Sequence, residues 1–278
     1  MKITKLLSFL FLAVTVVSCS SSDSGGSSSN ASSFVLNGTN VALTSPIAQR
    51  SEDTFAITAD GPNDSSIEIL FNKYGNLERF SYWEEFNSYE NYQYYKSNYF
   101  TFNLISIDES AHKIKVSFSG TVYLDETNLD SASKEVSGSF DLTYAVTTPV
   151  VSGLGMTCKI AGNNWYETDF WDNGFGNVDR KCISDDANMM ILRFSDEQIA
   201  PGTYNFTTAS DNKIQLGKFN TTTHTYTEYN TSGTMTIISN IDMFSFRLIQ
   251  GTFSFTATNP SNASDQIQVT AGAFKLNF

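Results

Sequence analysis

The sequence predicts an all-β chain with two tandem, related antiparallel domains, each a β-sandwich or an open-barrel-like sheet. Three observations carry this. Short apolar runs alternate with a period of two, at Phe100, Phe102, Leu104; Ile114, Val116, Phe118; Val122, Leu124; and Phe140, Leu142, Tyr144, the spacing of strands that bury one face. Thr, Tyr, Phe and Ile are abundant in these runs, and Asn37-Gly38, Asp60-Gly61, Asn173-Gly174 and Pro201-Gly202 punctuate them as turns. The second half also repeats the first.

The closing segments carry the clearest repeat. Gly120-Thr121-Val122-Tyr123-Leu124 with Thr127-Asn128 matches Gly251-Thr252-Phe253-Ser254-Phe255 with Thr258-Asn259 at identical spacing. Gly138-Ser139-Phe140, Leu142 and Tyr144 then match Gly272-Ala273-Phe274, Leu276 and Phe278, with three extra residues assigned to the intervening loop of the second copy. A repeated closing hairpin is the simplest account. The openings correspond as well, since Val35-Leu36-Asn37-Gly38-Thr39-Asn40-Val41 can be laid on Lys159-Ile160-Ala161-Gly162-Asn163-Asn164-Trp165. The two β domains are therefore placed at 34–147 and 153–278, joined at Thr147-Thr148-Pro149, where Pro149 interrupts the pattern. One large sandwich is the alternative.

Residues 1–33 follow other rules. Lys2 and Lys5 precede the apolar run Leu6 to Val17, which is too short to span a bilayer, so residues 1–18 read as a removable signal. Val16-Val17-Ser18-Cys19 resembles the lipobox of bacterial lipoproteins, which implies acyl chains on Cys19. Each buried methylene contributes about 0.8 kcal/mol, so two or more chains anchor a protein stably. Ser20 to Ser33 has Gly25, Gly26, one charge at Asp23 and no large apolar side chain, so residues 19–33 are expected to form a flexible tether behind the lipidated cysteine. Ser20 after that cysteine resembles the default for outer-membrane delivery, on the periplasmic side or at the cell surface.

Charge and cysteine content narrow the partners. Removing Lys2 and Lys5 leaves 15 basic against 29 acidic residues, a net charge of −14, which excludes nucleic acid as a natural partner. Cys158 and Cys182 form an even pair in a compartment that permits disulfides, on segments that read as neighbouring strands. A cross-strand disulfide is the leading expectation and two buried free thiols the alternative.

The second half also resembles a known family. Cys158 to Trp165, Pro201-Gly202-Thr203-Tyr204, Gly233-Thr234-Met235, Gly251-Thr252-Phe253-Ser254-Phe255 and Gly272-Ala273-Phe274 resemble an uncharacterised family of Bacteroidetes lipoproteins, over residues 154–278. The resemblance implies a "Gly-x-x-Trp" opening, a "Pro-Gly-Thr-Tyr" turn and a "Gly-Thr-Phe-x-Phe" closing strand, with no stated activity. The first half departs from that scheme, with Val41 in place of the tryptophan.

Three constellations are candidates for function. Aromatic residues crowd Phe80 to Phe102; Phe80, Phe100 and Phe102 follow strand alternation, whereas Trp83, Tyr89, Tyr92, Tyr94 and Tyr95 stand among polar residues and are expected to form an exposed patch for sugar rings or protein. Asp169, Asp172 and Asp179 flank a loop that suits calcium, but their spacing departs from the EF-hand alternation and a hairpin at Asn173-Gly174 is preferred, so no metal and no cofactor is expected. Asp130-Ser131-Ala132 resembles a short O-glycosylation acceptor at Ser131. No nucleophile elbow, zinc-binding helix motif or phosphate-cradling loop occurs, and His112 and His224 read as surface or strand residues. Adjacent carboxylates such as Asp185-Asp186 would point to opposite faces of a strand. The expectation is a non-catalytic, membrane-anchored envelope protein that binds glycan or protein. The alternatives are an envelope hydrolase with carboxylates gathered from distant residues, or a structural subunit of an outer-membrane complex.

Overall fold

A computed structural model describes residues 31–172, 178–244 and 246–278, and the described chain is almost entirely strand. The first half contributes β1 (Ala31–Leu36), β2 (Thr39–Asn40), β3 (Thr44–Ser51), β4 (Thr54–Asp60), β5 (Ser66–Asn72), β6 (Leu77–Glu84) and β7 (Asn87–Asn91). A one-turn helix, α1 (Lys96–Tyr99), precedes β8 (Phe100–Asp108), β9 (Lys113–Tyr123) and β10 (Ser133–Thr147). These ten strands form one sheet that closes on itself. β10 pairs with β9 along one edge, while its other edge takes β1 and then, in parallel, β3. The cycle runs on through β4, β5, β6 and β7 back to β9. Closure gives the sheet a buried inner face, where Phe34, Phe55, Ile57, Ile69, Phe80, Val116 and Leu142 meet.

In the second half, β11 (Gly155–Ile160), β12 (Asn163–Tyr166), β16 (Gly202–Thr207), β19 (Asn230–Asp242), β20 (Arg247–Asn259) and β21 (Asn262–Asn277) form a six-stranded sheet. β13 (Asp169–Asp172), β14 (Val178–Ile183), β15 (Asn188–Phe194), β17 (Lys213–Asn220) and β18 (Thr225–Glu228) form a five-stranded one. Met156, Trp165, Met235, Phe253 and Phe274 of the former pack with Cys182, Met190, Leu192, Ile214 and Leu216 of the latter. All pairings in both sheets are antiparallel, and the pair makes a β-sandwich.

The openings of the halves take the same hairpin. Val35 faces Asn40 and Leu36 faces Thr39 across Asn37-Gly38, as Lys159 faces Asn164 and Ile160 faces Asn163 across Ala161-Gly162. Both turns hold two consecutive residues at positive φ, the geometry that a two-residue hairpin demands. Each opening strand then pairs with the last long strand of its half, β1 with β10 and β11 with β21.

The closing hairpins agree in topology but not in register. Gly120 faces Val136, whereas Gly251 faces Phe274, the equivalent of Phe140. The offset is four residues, an even number, so the same side chains still face inward. The three extra residues sit in the strands rather than in the loop: β20 and β21 turn through Pro260-Ser261, while Leu124 to Ala132 separates β9 from β10. Both registers leave a glycine opposite a phenylalanine, Gly138 at Phe118 and Gly272 at Phe253.

Other differences from expectation are local. Ala31, Ser32 and Ser33 are not tether but the first residues of β1, paired with Asp141, Phe140 and Ser139. Backbone ladder bonds need no apolar side chain, so composition alone hides such residues. His112 and His224 lie in turns at positive φ, not in strands. The signal, Cys19 and the tether up to residue 30 lie outside the described residues, as does the Asn173-Gly174 pair. Among the described residues no helix is long and apolar enough to cross a membrane.

At Gly138 a Cβ would run into the Ser33 carbonyl oxygen and the Phe118 ring. Gly138→Ala is therefore expected to lower stability by about 1–3 kcal/mol in urea unfolding, because one clash is with backbone. Ser133→Ala, on the exposed start of β10, should stay within about 0.5 kcal/mol.

Candidate functional site: the junction between the two halves

The five-stranded sheet has apolar residues on both faces. Met190 and Leu192 face the sandwich interior, and Ile183, Met189 and Ile191 form a second buried cluster with Trp171 and Tyr226 packed against it. The aromatic segment after β7 covers that region. Tyr94 contacts Trp171, Phe219 and Tyr226 at centroid separations of 6.0 Å each. Tyr92 meets Phe219 and His224, both at 6.2 Å, and Tyr95 meets Phe219.

The expected exposed tyrosine patch is thereby corrected. Tyr92 is 1% exposed, Tyr94 and Tyr95 are half-buried in the junction, and Tyr89 is buried in the first core beside Tyr82 and beneath Lys134. Tyrosines among polar neighbours suit solvent or an interface equally, and the partner rings lie up to 132 residues further along the chain, from Tyr94 to Tyr226. Desolvation pushes the Tyr92 hydroxyl up to about 12, with Tyr99 and Tyr94 adding to the shift. Of the five residues only Trp83 is exposed, at 44%.

A polar cluster adjoins the rings. Asp185 accepts bonds from Asn76 Nδ2 at 2.9 Å and from the Leu77 amide at 3.2 Å, while its backbone oxygen accepts the Ser97 amide at 2.8 Å. Its neighbour Asp186 points elsewhere, accepting the Trp165 indole N–H at 3.2 Å and bonds from Asn188. The two carboxylates thus serve different halves. Lys96 is buried, its Nζ without a hydrogen-bond partner among the described residues. Burial lowers its pKa, opposed by the charges of Asp169, Glu78 and Asp185. Glu78 keeps part of its surface in solvent, yet desolvation, reinforced by Asp169, pushes its carboxyl up to about 8 against the pull of Arg79 and Lys96.

A cleft of about 490 Å³ lies where the chain crosses between halves. Glu52 accepts the Ser152 hydroxyl and, at 2.8 Å, the Gly153 amide. Tyr74 stacks on Tyr166 with centroids 3.6 Å apart and planes 4° apart. Glu167 also lines this cleft; its side chain is 7% exposed, with Oε1 3.8 Å from Arg180 and Oε2 without a hydrogen-bond partner among the described residues. Desolvation outweighs Arg180 and pushes this carboxyl up to about 7. Arg180 is itself buried, with its guanidinium 3.4 Å from the Phe170 ring centroid and its Nη1 donating to the Asn277 carbonyl oxygen at 2.5 Å.

Of the remaining sequence candidates, Asp169 acts on Lys96 and Glu78 of the polar cluster and Cys182 lies beside Glu167 and Arg180, while the others do not converge here. Cys158 and Cys182 are buried free thiols, which corrects the expected disulfide. β11 and β14 belong to different sheets, so the two cysteines are not cross-strand neighbours. Burial pushes Cys158 up to about 12 and Cys182 well above its ordinary value, so neither is a nucleophile. Among the described residues no group of three His, Cys, Asp or Glu side chains is arranged to hold a metal ion. Asp179 faces Arg193 at 3.4 Å and Asp169 opens β13. The Ser131 hydroxyl exchanges bonds of 3.2 Å with the backbone of Asp125, which ties down the β9–β10 loop. Sequence reasoning missed Glu167, Lys96 and Glu78, because isolated charges carry no spacing signal.

Residues 183–276 match the family of a domain of unknown function, DUF6252. The match covers most of the sandwich but not the junction strands of the first half. No curated protein and no solved structure matches the chain.

Two outcomes test the junction. Tyr92→Ala should cost about 3 kcal/mol or more in urea unfolding, while Trp83→Ala should change stability by less than about 0.5 kcal/mol. Glu167 binds its proton more tightly folded, near 7, than at its ordinary value of 4.5. Its stabilising contribution is complete below the lower value and lost as pH rises through the higher one. Unfolding free energy measured from pH 4.5 to 8 should thus fall less steeply in Glu167→Gln than in the parent.

Proposed function

We propose that this chain is a membrane-anchored protein of the bacterial cell envelope, held by lipid on Cys19, and that it works as a non-catalytic binding module for glycan or protein. The lipobox-like Val16-Val17-Ser18-Cys19 and the resemblance of residues 154–278 to Bacteroidetes lipoproteins support the location, at the outer membrane. One observation carries the binding role. Phe86 is fully exposed at the tip of the β6–β7 hairpin, beside Trp83 at 44% exposure. Glu85 in the same tip takes a positive φ of 50°, so the turn holds a non-glycine residue in a backbone conformation that side chains disfavour.

A hairpin tip contributes little to a core, so large apolar side chains held there in water have no folding role. Aromatic residues of this kind are the common anchors of recognition surfaces, where burial against a partner repays their exposure. A second tip, between β19 and β20, carries Met243 at 44% and Phe244 at full exposure. Neither tip contributes to the junction contacts, which leaves both free while the halves stay docked.

The test has two arms. Palmitate label should enter the parent protein and be absent from Cys19→Ala. A soluble chain from Gly25 onward should retain a protein partner in pull-down from envelope extracts, and Trp83→Ala with Phe86→Ser should weaken that retention by at least about tenfold. Retention unchanged in the double variant would overturn the hairpin tip as the recognition surface.

A further inference from the structure

The cleft at the crossing between halves has the attributes of a ligand site rather than of a packing gap. Its volume of about 490 Å³ falls within the roughly 300–1,000 Å³ usual for small-molecule clefts. Its walls come from both halves: Glu52 and Asp53 at the β3–β4 turn, the stacked Tyr74 and Tyr166, and the exposed face of β20 and β21 at Thr252 and Ala273. The stack and the Glu52 bonds to Ser152 and Gly153 fix these walls relative to one another, so the cleft is formed before any ligand arrives.

The charges around it pair off. Asp53 is met by Lys73 at 2.7 Å and Glu167 by Arg180 at 3.8 Å. Lys275 donates to the Ser152 carbonyl oxygen at 2.7 Å, on the residue whose hydroxyl bonds Glu52. Three carboxylates and three cations leave no net charge to select an ionic ligand. What remains is hydrogen-bonding capacity and aromatic surface. Gly153 and Gly155 leave open space where side chains would stand, so backbone groups are accessible. Tyrosine rings offer flat apolar surface with a polar edge, the complement of a sugar ring.

We propose that this cleft binds a neutral, hydroxyl-rich ligand, a short saccharide, seated against the Tyr74–Tyr166 pair with the open backbone at Gly153 and Gly155 at its wall. The proposal rests on the binding role above and names a ligand class for it, at a place separate from the hairpin tip. A basic peptide fits less well, because the acidic side chains already have cationic or hydrogen-bonded partners.

Calorimetric titration of the soluble chain provides the test, with neutral hexaoses of glucose, mannose and N-acetylglucosamine as probes and a galacturonic acid hexamer as the charged control. At least one neutral series should bind. Thr252→Trp places bulk on the exposed face of β20 without entering the core, and should weaken that binding by at least about tenfold; Tyr74→Ala should do the same. Ser133→Ala, on the exposed start of β10, should leave it unchanged. The proposal is overturned by the absence of neutral-saccharide binding, by binding of the uronic acid hexamer alone, or by affinity that survives Thr252→Trp with its melting temperature intact. Binding lost in the Trp83/Phe86 variant but kept in Thr252→Trp overturns the cleft and leaves the hairpin-tip reading standing.

Discussion

The docking of the Tyr92–Tyr95 segment on the outer face of the five-stranded sheet is the contact on which the other arrangements depend. β15 reads Met189-Met190-Ile191-Leu192, and all four side chains are buried. A strand in a two-layer sandwich needs only alternate positions covered, so such a run demands a third layer. The first half provides it. Each buried large apolar side chain adds about 1.5–3 kcal/mol relative to exposure, and aromatic pairs add about 0.5–1.5 kcal/mol beyond their area. Separating the halves would return Ile183, Met189 and Ile191, together with Tyr92, toward water.

Apolar contact supplies the strength of that docking but fixes its geometry only loosely. The polar cluster supplies the direction. Asp185 engages three groups of the first half, at Asn76, Leu77 and Ser97, and a shift of either half by one residue would strand a half-buried carboxylate. Lys96 reinforces the constraint from α1, since its buried ammonium is tolerated only near Glu78, Asp169 and Asp185. Buried charge of this kind contributes little net stability, because desolvation offsets the attraction. Its consequence here is selectivity, as mispacked arrangements leave the charges unpaired.

How far the fold was legible follows from the range of the interaction that sets each feature. The opening hairpins could be read because a two-residue turn depends on two positions, Asn37-Gly38 or Ala161-Gly162, and the flanking alternation. The strands of the closing hairpins could be read for the same reason, but not their register, since a four-residue slip preserves every inward face. The cysteines were misjudged because closeness in sequence does not say which sheet a strand joins. The tyrosines were misjudged because their partners, Trp171, Phe219 and Tyr226, belong to the other half. Met189 to Leu192 did hold a local signal: four consecutive apolar residues, buried on both faces, call for a covering layer.

Rigid docking also constrains where recognition can occur. A cleft between freely hinged halves would have to be closed by its ligand, which reduces affinity by the cost of ordering the hinge. Here the Tyr74–Tyr166 stack, the Glu52 bonds to the crossing chain and the Asp185 cluster hold both walls at once. Most of the surface of the tyrosine cluster is used in making that rigidity. Its part in the proposed binding role is one of position: by fixing the two halves, it keeps the cleft walls, contributed by residues as distant in sequence as Glu52 and Lys275, in register.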